Sequence, residues 1–191
     1  RPAVSVVTTV SMDHEAYLGD RVELIAAEKA GIFKAGVPVV IGPQTSPAAL
    51  EVLRERAART RAPVQVYGQE FLAHAERGRM IYQDGRGLLD LPLPRLPGRH
   101  QLGNAATAIA ALRAAGFDPS HQAIERGIAQ VEWPGRLQRI TAGPLFEAVV
   151  PGGELWLDGG HNPGAGTAIA EAVAEMEDRV PRPLFLIAGM L

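Results

Sequence analysis

Along this chain the apolar positions fall into short β-branched runs separated by polar, helix-compatible stretches. Residues 3–10 carry Val4, Val6, Val7 and Val10 with threonines between them, a density that predicts a buried strand. Over 21–30, Val22, Ile25, Ala26 and Lys29 share one face at helical spacing; Asp20 stands where an N-cap is needed and Gly31 offers the stop. A second strand is predicted at 37–42, with Pro38 near its start, where a missing N–H is tolerated. Ser46 followed by Pro47 opens a helix running to about Arg59, and 63–67 supplies a third strand. Strands alternating with helices predict βαβ units and a parallel sheet.

The pattern then changes. Residues 79–83 and 87–91 flank Asp84-Gly85-Arg86 and predict a β-hairpin. An Ala-rich helix is predicted over 100–115, with Leu102, Ala106, Ile109 and Leu112 on its buried face, and a further helix over 119–131. Trp133-Pro134-Gly135 interrupts the pattern like a hinge, dividing the chain into 1–135 and 136–191. Beyond it, 155–158 predicts a strand, 163–177 a helix and 184–188 another strand, the opening of a second βαβ unit. Gly143-Pro144 and Pro151-Gly152-Gly153 predict an added hairpin between them. The chain opens on one apolar run without an initiator Met and closes inside another, which predicts a piece of a larger α/β protein.

Composition narrows the classes. With 191 residues, 47% hydrophobic and 21% charged, the chain has the makings of a globular core. A formal net charge of -2 and basic residues scattered without interleaved aromatics argue against a nucleic-acid partner. There is no cysteine, which fits a cytoplasmic setting, and no run of about 18 apolar residues to cross a membrane. Of the 19 basic residues only Lys29 and Lys34 are lysine. An amine can lose its proton and react, which a guanidinium cannot, so a chain that otherwise writes Arg invites a special role for Lys29. A desolvated lysine can take up CO2 as a carbamate, an anionic oxygen ligand suited to a hard cation, and a structural lysine satisfies the pattern equally.

Three further stretches carry chemistry. Ser11-Met12-Asp13-His14-Glu15 follows the first strand, and the carboxyl ends of strands in open α/β sheets are where ligands bind. His14 can ligate a divalent cation there, or stand as a solvated loop histidine. His100-Gln101-Leu102-Gly103-Asn104 opens the Ala-rich helix, where Gln and Asn can pair with a planar ring or simply cap the helix. Trp133-Pro134-Gly135-Arg136 pairs with Asp158-Gly159-Gly160-His161-Asn162-Pro163, a strand end followed by glycines and a helix N-terminus, a place that favours anions. Arg136 can reach a phosphate as a forked donor. Gly164-Ala165-Gly166 lacks the third glycine of a dinucleotide fingerprint, and no serine sits in a Gly-x-Ser-x-Gly elbow.

Taken in order, SMDHEAYLGD, EKAGIFKAGVPVV, the Gln-Leu-Gly-Asn-Ala helix, WPGR and LDGGHNP resemble the dihydrofolate synthase / folylpolyglutamate synthase branch of the Mur ligase superfamily over nearly the whole chain. The resemblance implies part of a P-loop-type parallel-sheet ATPase domain (1–135), then the start of a Rossmann-like C-terminal α/β domain that handles glutamate (136–191). It implies an ATP- and Mg2+-dependent amide ligase: ATP phosphorylates the carboxylate of dihydropteroate or of a folate, and glutamate's amine displaces the phosphate. By the same resemblance His14 and a carbamylated Lys29 are Mg2+ ligands, and Asn104 lies at the adenine. Arg136 and Asp158 contact ATP, His161 lies at the phosphate and glutamate end, and the intact protein is a cytoplasmic monomer. The chain departs from the family in having no Gly-Lys dipeptide, hence no phosphate-binding loop, so alone it is expected to bind ATP weakly and not turn over. A peptidoglycan amino-acid ligase and a non-catalytic nucleotide-binding remnant are the other readings.

Overall fold

A computed structural model describes residues 2–12 and 21–189. Asp13, His14 and Asp20 lie outside the described residues. Strand β1 is Ser5–Val7, shorter than the predicted 3–10, and it pairs in parallel with β2 (Val39–Ile41), which pairs in parallel with β3 (Val64–Val66). Between them run α1 (Val22–Lys29) and α2 (Pro47–Arg59). The predicted start of α2 is as formed: Ser46 Oγ accepts the Ala49 N–H at 3.2 Å and Pro47 takes the first turn. At α1 the cap position belongs to Arg21, whose side chain makes no capping bond. Nor does Gly31 stop that helix in a left-handed conformation. The chain tightens instead into a 3-10 turn, Ala30–Ile32, and leaves it at an extended Phe33.

Both faces of the parallel sheet are covered, as its nearly uninterrupted apolar strands require. On one face Val7, Val39 and Ile41 pack with Ile25, Ala26, Phe33, Leu53 and Ala57 from α1, α2 and the turn between. On the other, Val40 joins a second cluster with α3 (His100–Ala114), α4 (His121–Gln130) and a three-stranded antiparallel meander. The meander consists of β4 (Phe71–Glu76), β5 (Arg79–Asp84) and β6 (Gly87–Pro92), so the predicted hairpin has a third strand. Residues 71–76 are rich in helix formers, but β5 offers a full ladder and Phe71 is buried; tertiary pairing overrides local preference. On α3 the buried face is Gly103, Ala106, Thr107, Ile109 and Ala110, whereas Leu112, predicted to be core, is exposed.

Helix α3 lies close against the loop after β2. A Cβ at Gly103 would stand 2.5 Å from Pro43 Cγ, and one at Gly42 would stand 2.9 Å from Thr107 Oγ1. Gly103→Ala is therefore expected to lower stability by about 1–2 kcal/mol. A rigid ring cannot withdraw, and the roughly 1 kcal/mol that alanine gains in a helix does not offset the overlap. Urea titration checks this, and a raised midpoint would contradict it.

Beyond Trp133, which is exposed, β7 (Gln138–Ile140) and β8 (Leu155–Leu157) pair antiparallel. A short helix, α5 (Pro144–Glu147), lies in the connection, where the sequence predicts an added hairpin; no strand forms between Gly143 and Gly153. Helix α6 (Pro163–Arg179) follows. The strand predicted at 184–188 is not formed: Leu184, Phe185, Leu186 and Ile187 are exposed, and no described strand runs beside them to complete a ladder. Among the described residues no helix is long and apolar enough to cross a membrane.

Candidate functional site

Because β1, β2 and β3 are parallel, their carboxyl ends share one edge, and the stretches around Ser11, His100–Asn104 and Arg136/Asp158–His161 gather there. Gln44 holds the edge together: its Oε1 accepts the Val10 N–H at 3.0 Å, and its Nε2 donates to the carbonyls of Thr8 (2.9 Å) and Gly42 (3.0 Å). One side chain thus fixes the exits of β1 and β2. Sequence reasoning passed over it, although a polar residue three positions past a buried strand was a usable signal.

Two helix N-termini close on this edge. Helix α3 enters through Gly98, which takes a φ of +103° and allows the His100 ring to fold back over it. Helix α6 enters through Asn162, whose Oδ1 accepts the Ala165 N–H at 2.8 Å, with Pro163 in the first turn. A Cβ at Gly164 would stand 2.8 Å from Ser11 Oγ, so the start of α6 touches the exit of β1. That contact accounts for the glycine which, in the sequence, suggested a partial dinucleotide fingerprint. Further along, Arg99 ion-pairs with Glu175 of α6.

Asp158 is the brace of the site. Its Oδ2 accepts the Leu137 N–H at 2.7 Å and its Oδ1 accepts the Gly160 N–H at 2.6 Å, while the Gly159 N–H donates to the Gly135 carbonyl at 2.8 Å. The WPGR turn and the DGGHN loop, predicted as a pair, are therefore bonded to each other directly. Leu137 needs the anchor, since its φ of 39° is left-handed and uncommon for a leucine. Asp158→Ala is expected to leave two loop amides without their carboxylate, at a local cost of about 1.5–3 kcal/mol. The reading is faster hydrogen exchange at Leu137 and Gly160; unchanged protection would contradict it.

Arg136 is exposed beside this brace, and His161, also exposed, has its Nδ1 3.2 Å from the Gly159 carbonyl. His100 feels Arg136, Asp158 and Glu171 electrostatically, so the start of α3 faces the same loops. Burial, helped by the Arg136 charge, holds its pKa below the ordinary histidine value against the opposing pull of Asp158 and Glu171. Asn104 sits on the exposed side of α3 and donates from Nδ2 to Gln101 Oε1 at 3.0 Å. Arg136, Asp158 and His161 are thus brought together, with Asn104 one helical turn past His100. Lys29 stands elsewhere, exposed at the last turn of α1, and no hydrogen bond or ion pair among the described residues joins it to them.

A divalent cation is not accommodated by the described residues alone. No group of three His, Asp or Glu side chains among them could hold one, and both Asp158 oxygens already accept backbone N–H groups. His14 is outside the described residues. The burial that a carbamate on Lys29 calls for is not supplied by its described neighbours either.

No family model matches the chain. Among curated proteins it is similar to the folylpolyglutamate synthase of Lacticaseibacillus casei, 32% identical over 200 residues, covering 100% of this chain and 44% of that protein. It is 37% identical over 164 residues to the dihydrofolate synthase/folylpolyglutamate synthase of Escherichia coli K12, covering 85% of this chain and 35% of that protein. The chain therefore spans less than half the length of either relative. Among solved structures it resembles a folylpolyglutamate synthase bound to AMPPCP and folate, with a TM-score of 0.75 and 31% identity over 92% of this chain and 42% of that one. It also resembles E. coli FolC bound to DHPP and ADP, with a TM-score of 0.74 and 33% identity over 95% of this chain and 39% of that one.

Proposed function

Because the chain belongs to the dihydrofolate synthase / folylpolyglutamate synthase family, we propose that the protein carrying it is an ATP-dependent amide ligase that adds L-glutamate to dihydropteroate, to a folate, or to both. ATP phosphorylates the substrate carboxylate, and the glutamate amine attacks the acyl phosphate, leaving an amide, ADP and phosphate. The observation that carries this reading is convergence. Three stretches far apart in sequence, around Ser11, His100–Asn104 and Arg136/Asp158–His161, meet at the carboxyl edge of a parallel sheet. That edge is where open α/β sheets bind ligands, and the likeness to complexes with AMPPCP and ADP supports a nucleotide there.

In this assignment residues 1–135 belong to the ATP-binding domain and 136–191 begin the glutamate-ligase domain. Asn104 lies at the adenine, and Arg136 reaches the phosphates as a forked donor. Asp158 keeps the loop around Arg136 in place, and His161 stands at the end where phosphate and glutamate meet. These groups position two reactants, which is most of what phosphoryl transfer asks of a protein. When bound, Mg2+ would neutralise charge on the transferring phosphate, with His14 and a carbamylated Lys29 as its ligands from this chain. The protein would work as a cytoplasmic monomer on small-molecule substrates.

The test uses the intact gene product. ADP release should require glutamate together with dihydropteroate or a reduced folate. Release with a UDP-linked peptidoglycan precursor instead would move the protein to the neighbouring branch, and no glutamate-dependent release with any of them would remove the ligase reading.

A further inference from the structure

Gln101 is 8% exposed, an unusual place for a carboxamide, and both ends of that amide are used. Its Oε1 accepts from Asn104 Nδ2 at 3.0 Å, and its Nε2 lies 3.0 Å from His100 Nε2. An amide nitrogen only donates, so His100 Nε2 must accept, and the ring is the neutral tautomer with its proton on Nδ1. The bond from Asn104 Nδ2 to Oε1 sets the orientation of the Gln101 amide, and the contact of its nitrogen with His100 holds it there. The nitrogen of Asn104 is tied to the buried Gln101, which leaves its Oδ1, accepting no hydrogen bond among the described residues, as the available acceptor on an exposed residue.

We infer that Gln101, held by His100, is a positioning residue that selects adenine over guanine by fixing Asn104 with its carboxamide oxygen outward. Adenine offers an exocyclic amine, a donor, where guanine offers a carbonyl oxygen. An outward oxygen pairs with the first and repels the second, whereas an Asn104 free to flip accepts either. The inference rests on the placement of Asn104 at the adenine proposed above.

In the intact protein, kcat and KM are measured with ATP and with GTP for wild type, Gln101→Leu, Gln101→Met, Gln101→Glu and Asn104→Ala. Gln101→Leu and Gln101→Met should raise KM for ATP and cut the ATP-over-GTP preference, each by about tenfold, with kcat at saturating ATP within about twofold. Gln101→Glu keeps an oxygen for Asn104 Nδ2 but loses the donor to His100 Nε2, so it should retain part of the preference and rank above Gln101→Leu and Gln101→Met. A merely structural glutamine would give the opposite order, since a buried carboxylate disturbs packing more than leucine or methionine does. If Asn104→Ala changes the preference while Gln101→Leu and Gln101→Met leave it intact, the positioning role is overturned and the adenine site stands. An unchanged preference in Asn104→Ala removes the adenine placement, and this inference with it.

Discussion

Asp84→Ala is expected to destabilise the folded chain by about 3–5 kcal/mol at neutral pH. Asp84 ends β5 and is the partner of Arg113 on α3, with Oδ2 2.6 Å from Nη1 and only 13% and 12% of the two side chains exposed. The same oxygen accepts the Tyr82 hydroxyl at 2.8 Å, Oδ1 accepts the Arg86 N–H at 2.8 Å, and the Arg113 guanidinium lies 5.4 Å from the centre of the Tyr82 ring. Arg113 Nε is already buried without a partner, so losing Asp84 would strand the guanidinium between the meander and α3. Removing both charges together, as in Asp84→Leu with Arg113→Leu, should recover most of the loss, because a buried pair costs nearly as much desolvation as it returns.

The pH dependence has a definite sign. Burial works to raise the Asp84 carboxyl, but Arg113, the Arg86 amide and the Tyr82 hydroxyl outweigh it and hold its pKa below the ordinary value. A depressed folded pKa contributes stability above the unfolded value, near 3.9, and that contribution fades as pH falls through the folded one. The gap between wild type and Asp84→Ala should therefore narrow below about pH 4. Tyr82 works from the other side: burial and its bond to Asp84 raise its pKa well above the ordinary value, so its contribution is whole below about pH 10 and declines above it. Urea unfolding at pH 7 and pH 3 reads the Asp84 end. An equal cost at the two values would show that the carboxylate charge is not what holds the meander to α3.

In the intact protein Lys29→Arg is expected to lower turnover by about 10² or more, on the proposal that Lys29 works as a carbamate. Arginine keeps length and positive charge but cannot take up CO2, so an anionic oxygen donor is replaced by a cationic fork. Lys34 provides the comparison. Its Nζ donates to the Gly31 carbonyl at 3.4 Å, just past α1, and a helix-end charge is worth about 0.3–1 kcal/mol, so Lys34→Arg should change the rate less than about fivefold. Bicarbonate should restore wild type depleted of CO2 and do nothing for Lys29→Arg. Wild-type turnover by Lys29→Arg in CO2-free buffer would dismiss the carbamate, and the lysine would be an exposed helix-end residue.

The parallel core was legible because Val4–Val7, 37–42 and 63–67 are too β-branched and too short to be helices, and Ser46-Pro47 announces its helix. β4 was not, because Phe-Leu-Ala-His-Ala-Glu favours a helix until β5 is beside it. The candidate residues could be named one by one from their motifs, but not their partners. Nothing in the sequence shows that Asp158 spends its oxygens on Leu137 and Gly160, that Gly164 must be small to meet Ser11, or that Gln101 is buried beneath Asn104. Those relations join elements distant along the chain and arise only when the sheet edge and two helix ends close together.

The acyl-phosphate route is tested most directly by following oxygen. With the intact protein, a dihydropteroate or folate labelled with 18O in its reacting carboxylate is converted in the presence of ATP and glutamate, and the released phosphate is weighed. Phosphorylation of the carboxylate puts one labelled oxygen into phosphate for each amide formed, with ADP as the nucleotide product. Unlabelled phosphate, or AMP and labelled AMP-linked products in place of ADP, would contradict it.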